Sequence, residues 1–328
     1  MGTIGKRPRS RVSMPVVLAI LIGLLTGTGA GTSLARYVAA STVGGNTVTT
    51  AARFDVTPPS IAGSVVAKAS GTALYLAGQI KASGTFYVYA NVTDTGGGAS
   101  GVATVLANVS TIRTGATAVV LVAGSYSVGG IAYSYRSASQ TATATVAQSY
   151  SYSITAVDNA GNVATNSSFT VSVNTTRPGA SDIQTTNGGT AGRPDTGDTI
   201  VYSYTEQVDP ESVLAGWTGT STWVIVRFTL SSNTVTIWNA ANTTQLLLGS
   251  VALGAAYTTT ATATLSATMV QSGATITLTL GSVTTGTVKT NTTARNMIWT
   301  PSATGTDAAG NACSTSGRTE SGTTDVDF

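Results

Sequence analysis

The sequence predicts an all-β chain of two antiparallel sandwiches in tandem, on three observations. Only 9% of the 328 residues are charged, while Thr, Ser, Gly, Ala and Val dominate, which suits pleated, half-buried surfaces rather than helical bundles or charge-rich disorder. Long stretches alternate apolar and polar residues with a period of two. Finally, Asp158-Asn159-Ala160-Gly161-Asn162 returns as Asp307-Ala308-Ala309-Gly310-Asn311, each at the end of a long alternating run. In such a segment the Asp caps its own turn and Gly161 or Gly310 takes positive φ, as a hairpin loop requires. Two loops, in a chain long enough for two ordinary domains, give two units.

Residues 1–35 read as an export signal. Lys6, Arg7, Arg9 and Arg11 form a basic n-region, and Met14 to Leu25 form an apolar core of about a dozen residues, short of the roughly 20 a membrane span needs. Ser33-Leu34-Ala35 places small residues where a signal peptidase reads, so the expected cut lies between Ala35 and Arg36 and the expected location is extracellular or at the cell surface. An uncleaved anchor, extended by the Gly-rich stretch from Gly27 to Gly31, is the alternative. Removing the leader leaves twelve basic and thirteen acidic residues, a net charge of −1. Such a mature chain has no electrostatic footprint for nucleic acid.

Residues 36–54 read as an extended arm. Val43, Thr47, Val48, Thr49 and Thr50 favour β structure but are too few to fold alone, so self-association by strand addition to a neighbour is one expected use. The first sandwich is placed at 55–176. In it Phe86, Val88, Ala90 and Val92 form an apolar face opposite Tyr87, Tyr89, Asn91 and Thr93. Tyr126, Tyr133, Tyr135, Tyr150 and Tyr152 supply bulk to a Thr/Ala-rich core, or alternatively a sugar-stacking platform.

The second sandwich is placed at 177–328. Asp209 caps a short helix, Pro210 occupies its first position and Gly216 closes it. Val224, Val226, Phe228 and Leu230 share a face, as do Ala274, Ile276, Leu278 and Leu280. The lone Cys313 cannot form an intramolecular disulfide. It reads as a small apolar residue on the final strand or as an intermolecular partner.

The first loop and its flanks, Tyr150-Ser151-Tyr152-Ser153-Ile154-Thr155-Ala156-Val157 and Phe169-Thr170-Val171-Ser172-Val173, resemble the last hairpin of bacterial immunoglobulin-like repeats in secreted surface proteins and adhesins. Asp55-Val56-Thr57-Pro58-Pro59 and Asn174-Thr175-Thr176-Arg177-Pro178 are similar to the linkers between such repeats. Gly197-Asp198-Thr199-Ile200-Val201-Tyr202-Ser203-Tyr204-Thr205-Glu206 with Val208-Asp209-Pro210-Glu211-Ser212-Val213-Leu214 resembles the SbsA-like immunoglobulin variant. Ala35-Arg36-Tyr37 and Gly45-Asn46-Thr47-Val48-Thr49-Thr50-Ala51 are similar to SipW-dependent leaders of Gram-positive biofilm-fibre proteins. These resemblances imply tandem Ig-like domains that act as a spacer or adhesion module and meet a protein or polysaccharide at the cell surface. A self-assembling matrix fibre and a carbohydrate-binding module are the rival expectations.

Little chemistry is written in the chain. There is no histidine, which removes Ser-His-Asp and Cys-His arrangements and the commonest metal ligand. Glu206, Asp209 and Glu211 are close enough in sequence to form a carboxylate pair for glycoside hydrolysis, but capping explains Asp209 and the expectation is no enzyme and no catalytic residue. No bound cofactor is expected. Calcium is the one ion to weigh, with Asp94, Asp158, Asp195, Asp198, Glu206 and Asp307 at loops or strand ends as its candidate ligands.

Overall fold

The computed structural model describes residues 54–68 and 77–328, with the backbone of the short strands Thr42–Val43, Asn46–Thr47 and Thr72–Ala73. The signal segment, the Ala35–Arg36 cut and most of the arm lie outside the described residues. Residues 1–51 and 52–328 are separate units. In the first, β1 (Thr42–Val43) and β2 (Asn46–Thr47) pair antiparallel with each other.

The second unit is nearly all β. Its first half carries β3 (Ser60–Ala67), β4 (Thr72–Ala73), β5 (Gln79–Lys81), β6 (Thr85–Thr93), β7 (Val102–Asn108), β8 (Val119–Val128), β9 (Ile131–Ser137), β10 (Gln140–Thr141), β11 (Gln148–Asp158) and β12 (Val163–Asn174). These form one ten-stranded sheet in the order β10-β6-β9-β8-β7-β11-β12-β5, with β3 on β6 and β4 on β8. The pairing is antiparallel except at β5–β12 and β4–β8, which are parallel, a departure from the wholly antiparallel expectation.

Period-two alternation explains the main core, for Phe86, Val88 and Ala90 on β6 are fully buried and face Ile80, Ile154 and Val171. The opposite face of β6 departs from the amphipathic expectation. Tyr89 is also fully buried, in a second small core with Ala67, Val128 and Tyr133, because the β8–β9 hairpin folds over that face. Tyr126 and Tyr133 lie with their ring centroids 6.2 and 5.7 Å from that of Tyr89. Tyr133 and Tyr152 are therefore packing residues.

The second half carries β13 (Ala180–Thr186), β14 (Thr199–Tyr204), α1 (Pro210–Val213), β15 (Thr222–Thr229), β16 (Thr234–Asn239), β17 (Gln245–Ala252), β18 (Thr262–Ser272), β19 (Thr275–Thr285), β20 (Ile298–Thr300) and β21 (Arg318–Thr319). They form one nine-stranded sheet, β13-β14-β19-β18-β15-β16-β17-β20-β21. Register shifts between Thr264 and Ala267 and between Thr236 and Trp238 bend the strands, as bulges do. The two edges of the sheet are then tied together just beyond β21, where the Ser321 N–H donates to Asp182 Oδ1 (2.9 Å) and Gln184 Nε2 donates to the Ser321 carbonyl (3.0 Å). Each half is thus a continuous sheet curled around its own core. In the second core Trp299 lies edge-on to Tyr202 and Tyr204 at 5.1 and 4.7 Å and donates its Nε1 hydrogen to the Leu248 carbonyl.

Three local expectations are corrected. The helix ends at Val213 with extended backbone at Leu214, and Gly216 (φ 78°) instead serves the turn in which the Trp217 N–H donates to the Leu214 carbonyl. Cys313 is buried in irregular backbone rather than on a strand. Leu230 leaves its buried face because β15 stops at Thr229 and the chain turns.

Candidate functional site

The two repeated loops have the same internal geometry. In each, the Asp N–H donates to the Asn carbonyl (3.1 Å at both), and the Gly N–H donates to the Asp carbonyl (3.2 Å at 161, 3.1 Å at 310). The Asn N–H reaches Asp Oδ1 (2.8 and 2.7 Å), and its Nδ2 reaches Asp Oδ2 (2.7 and 2.8 Å). Gly161 and Gly310 hold φ of 90° and 94°, a left-handed conformation in which a side chain is strained. Asp158 and Asp307 are both 2% exposed, a burial possible because every charged oxygen has donors around it.

The surroundings differ. Asp158–Asn162 joins β11 to β12 as a true hairpin. Asp307–Asn311 keeps the loop but not the strands, which are reduced to the single bridges Thr306–Ala312 and Val208–Asp307. The hairpin expectation holds for the first loop alone. Loop shape is fixed by five local residues, whereas strand pairing needs alternating flanks, and Pro301-Ser302-Ala303-Thr304-Gly305 gives none.

Each loop also clamps the chain that enters its own half. Asn162 Nδ2 donates to the Asp55 carbonyl and Asn311 Nδ2 to the Asn174 carbonyl, both at 3.2 Å. Asp55 and Asn174 in turn make matching turns, accepting from the N–H of Thr57 (3.1 Å) and Thr176 (2.9 Å). A third position repeats too, since Asp94 follows β6 and Glu206 follows β14.

The chemistry at the two clamps diverges from here. At the first, Asp55, Asp94 and Asp158 converge, with one oxygen from each within 4.8 Å of the others. Asp55 is held below the usual carboxylate range by hydrogen bonds from Ser100 and Thr57. Asp94 Oδ2 accepts from the Gly101 N–H at 2.6 Å, while its Oδ1 is buried without a hydrogen-bond partner. These three carboxylates lie close enough together to hold a cation.

At the second clamp the carboxylate of Asp55 is replaced by the amide of Asn174, which donates to Asp307 Oδ2 (2.9 Å) and Glu206 Oε2 (3.2 Å). Burial raises the Glu206 pKa, partly offset by that amide. A cation comes from the first half of the chain. Lys68 Nζ lies 2.6 Å from Asp209 Oδ2 and donates to the Asp307 carbonyl at 2.7 Å. Asp209 therefore serves twice, as the cap accepting from the Glu211 N–H (3.1 Å) and as the acid of this ion pair.

The six calcium candidates thus sort into three places. Asp94 and Asp158 meet at the first clamp, and Glu206 and Asp307 meet at the second. Asp195 and Asp198 sit elsewhere, where Asp198 closes its loop by accepting from the N–H groups of Gly188 and Asp195, both at 2.8 Å. Sequence reasoning missed Asp55, Asn162, Asn311 and Lys68. The Asx-x-Thr entry before Pro58, matched by the one before Pro178, signalled Asp55, and the repeated last position of the two loops signalled Asn162 and Asn311, but nothing signalled Lys68. It also missed Glu320, Asp325 and Asp327, whose carboxylates converge near the last residues. Burial, then Glu320 and Asp325, push the pKa of Asp327 up to about 7. In comparisons with protein-family models, curated proteins and solved structures, no match to this chain was found.

Proposed function

We propose that the chain is a non-enzymatic secreted protein whose residues 52–328 form a stiff spacer that carries an adhesive surface, built as two immunoglobulin-like domains at 55–176 and 177–328. The observation that carries this reading is the junction. Lys68 and Lys81 of the first half meet the second loop, through Lys68 Nζ to the Asp307 carbonyl (2.7 Å) and the Lys81 N–H to the Ala309 carbonyl (3.0 Å), and Lys68 also pairs with Asp209. Arg177 locks the connecting segment by donating to the carbonyls of Ala312 (2.9 Å) and Cys313 (3.1 Å). A link tied at so many points keeps the ends of the unit at a fixed separation, which a spacer needs and a hinged enzyme would not. Of the carboxylates nearest in sequence, Glu206 accepts from Asn174 at this junction and Asp209 both pairs with Lys68 and caps the helix. Export follows from the leader reading.

Expression with the native leader in a Gram-positive host tests both parts. Extracellular protein beginning at Arg36, in which the 174–180 link resists added protease, supports the reading. Retention in the membrane with Met1 or Gly2 intact, or rapid cutting within the link of the native protein, refutes it.

A further inference from the structure

The solvent face of the second sheet carries aromatic and cationic side chains side by side. On β15, Val224, Val226 and Phe228 enter the core, so Trp223, Ile225 and Arg227 point outward, and Trp223 is 66% exposed. An indole exposed on a regular strand presents a rigid, flat apolar face to which a ring-bearing ligand can stack. Next to it, the guanidinium carbon of Arg227 lies 3.6 Å from the ring centroid of Trp238 on β16. Trp238 is held by its own bond from Nε1 to Thr236 Oγ1 (2.9 Å), and Arg227 Nη2 donates to Asn242 Oδ1 (2.6 Å). The Arg227 Nε is buried without a hydrogen-bond partner, so this cation is only partly satisfied by the protein.

No acid is close in the chain to neutralise it. Residues 212–306, which include all of β15 to β20, contain no Asp or Glu, but do contain Arg227, Lys289 and Arg295. A hydroxyl row leads away from Trp223, for Thr268 is its partner on β18, Thr279 is the partner of Thr268 on β19, and Thr199 is the partner of Thr279 on β14. At strand spacing, three such steps cover about 14 Å.

From this arrangement we infer that the outer face around Trp223, Arg227 and Trp238 binds an acidic polysaccharide, one whose sugar rings bear carboxylates. The Trp223 ring offers a flat apolar surface to the C–H face of a sugar, the threonine row offers hydroxyls to the next rings, and the guanidinium attracts a uronate carboxylate. Charge complementarity selects an anionic chain over a neutral one. The inference rests on the adhesive reading above and names its ligand class.

The test is native gel electrophoresis of the secreted chain through polygalacturonate, through hydroxyethylcellulose as a neutral polymer, and in the presence of duplex DNA. Polygalacturonate should retard the protein, and retardation should weaken as salt is raised. Trp223→Ala and Arg227→Gln should each weaken binding about tenfold, and Trp223→Phe should retain most of it. Val163→Ala, an exposed site on the other sheet, should leave binding unchanged. Unaltered melting of each variant separates loss of the site from loss of the fold. The inference is overturned if no polymer retards the protein, if hydroxyethylcellulose or DNA does so as strongly, or if the Trp223 and Arg227 variants bind like the parent. These outcomes leave export and the rigid link untouched, so a failure here is distinct from a failure of the spacer reading.

Discussion

At the residue scale, the repeated loops show how much a few side chains determine. Asn162 and Asn311 each hold their Asp through two bonds and the incoming chain through a third, at positions where the Asp is almost wholly buried. Replacing either with Ala leaves a buried carboxylate short of donors, at a cost of about 2 kcal/mol per site in chemical denaturation. Gly161→Val should cost about 1–3 kcal/mol from backbone strain alone, since open space surrounds its missing Cβ. An unchanged midpoint for Gly161→Val would mean that φ there is not held positive. Cys313 is 1% exposed, and its thiol pKa is pushed up to about 11 by burial first and then by Asp307. It should resist a thiol reagent in the native protein at pH 8 and react fully in denaturant, because the thiolate is the reactive form. Fast native labelling would reopen the intermolecular-disulfide alternative.

At the scale of elements, the contact between the halves includes a largely buried ion pair that composition conceals. The Lys68 side chain is 17% exposed and that of Asp209 is 3% exposed, so removing the lysine leaves a buried charge alone. Lys68→Met should destabilise the second half by about 3 kcal/mol, and Lys68→Met with Asp209→Asn should recover part of it. Equilibrium unfolding of the single and double variants measures this, and additive effects would show that the pair is not coupled. Much of the element pattern was legible in advance. The faces Phe86/Val88/Ala90/Val92 and Val224/Val226/Phe228 are buried as their alternation requires. The end of α1 was not legible, because Gly216 could equally close a helix or a turn beyond it. The buried Tyr89 face was not legible either, because its cover comes from β8 and β9, more than 30 residues away in sequence.

For the whole molecule, acid–base behaviour follows from the carboxylates that folding places together. Asp327 packs beside Glu320 and Asp325, with Tyr257 and Thr185 as its hydroxyl neighbours at 3.4 Å, and its pKa stands near 7 against an ordinary 3.8. The folded state therefore binds this proton more tightly than the unfolded chain. Its contribution to stability is complete below about pH 4 and is lost as pH rises through about 7. Asp55 and Asp182, held below 3.8 mainly by hydrogen bonds from Ser100 and Ser321, act in the opposite sense and only at the acid end. Melting temperature should fall between pH 4 and pH 7, and Asp327→Asn should flatten that slope. A parent protein whose stability is level across the window would contradict the buried proton. The sequence by itself determined the β class, the turn geometry at Gly161 and Gly310, the capping role of Asp209 and the buried faces of the regular strands, because these rest on interactions within a few residues or on strict alternation. Tertiary structure alone decided that the edges of the second sheet meet, that Lys68 reaches Asp209, that three carboxylates converge at Asp55, and that Arg227 stacks on Trp238 beside the threonine row. Those depend on which strands become neighbours, and strand order is set by packing across long sequence separations that no local pattern records.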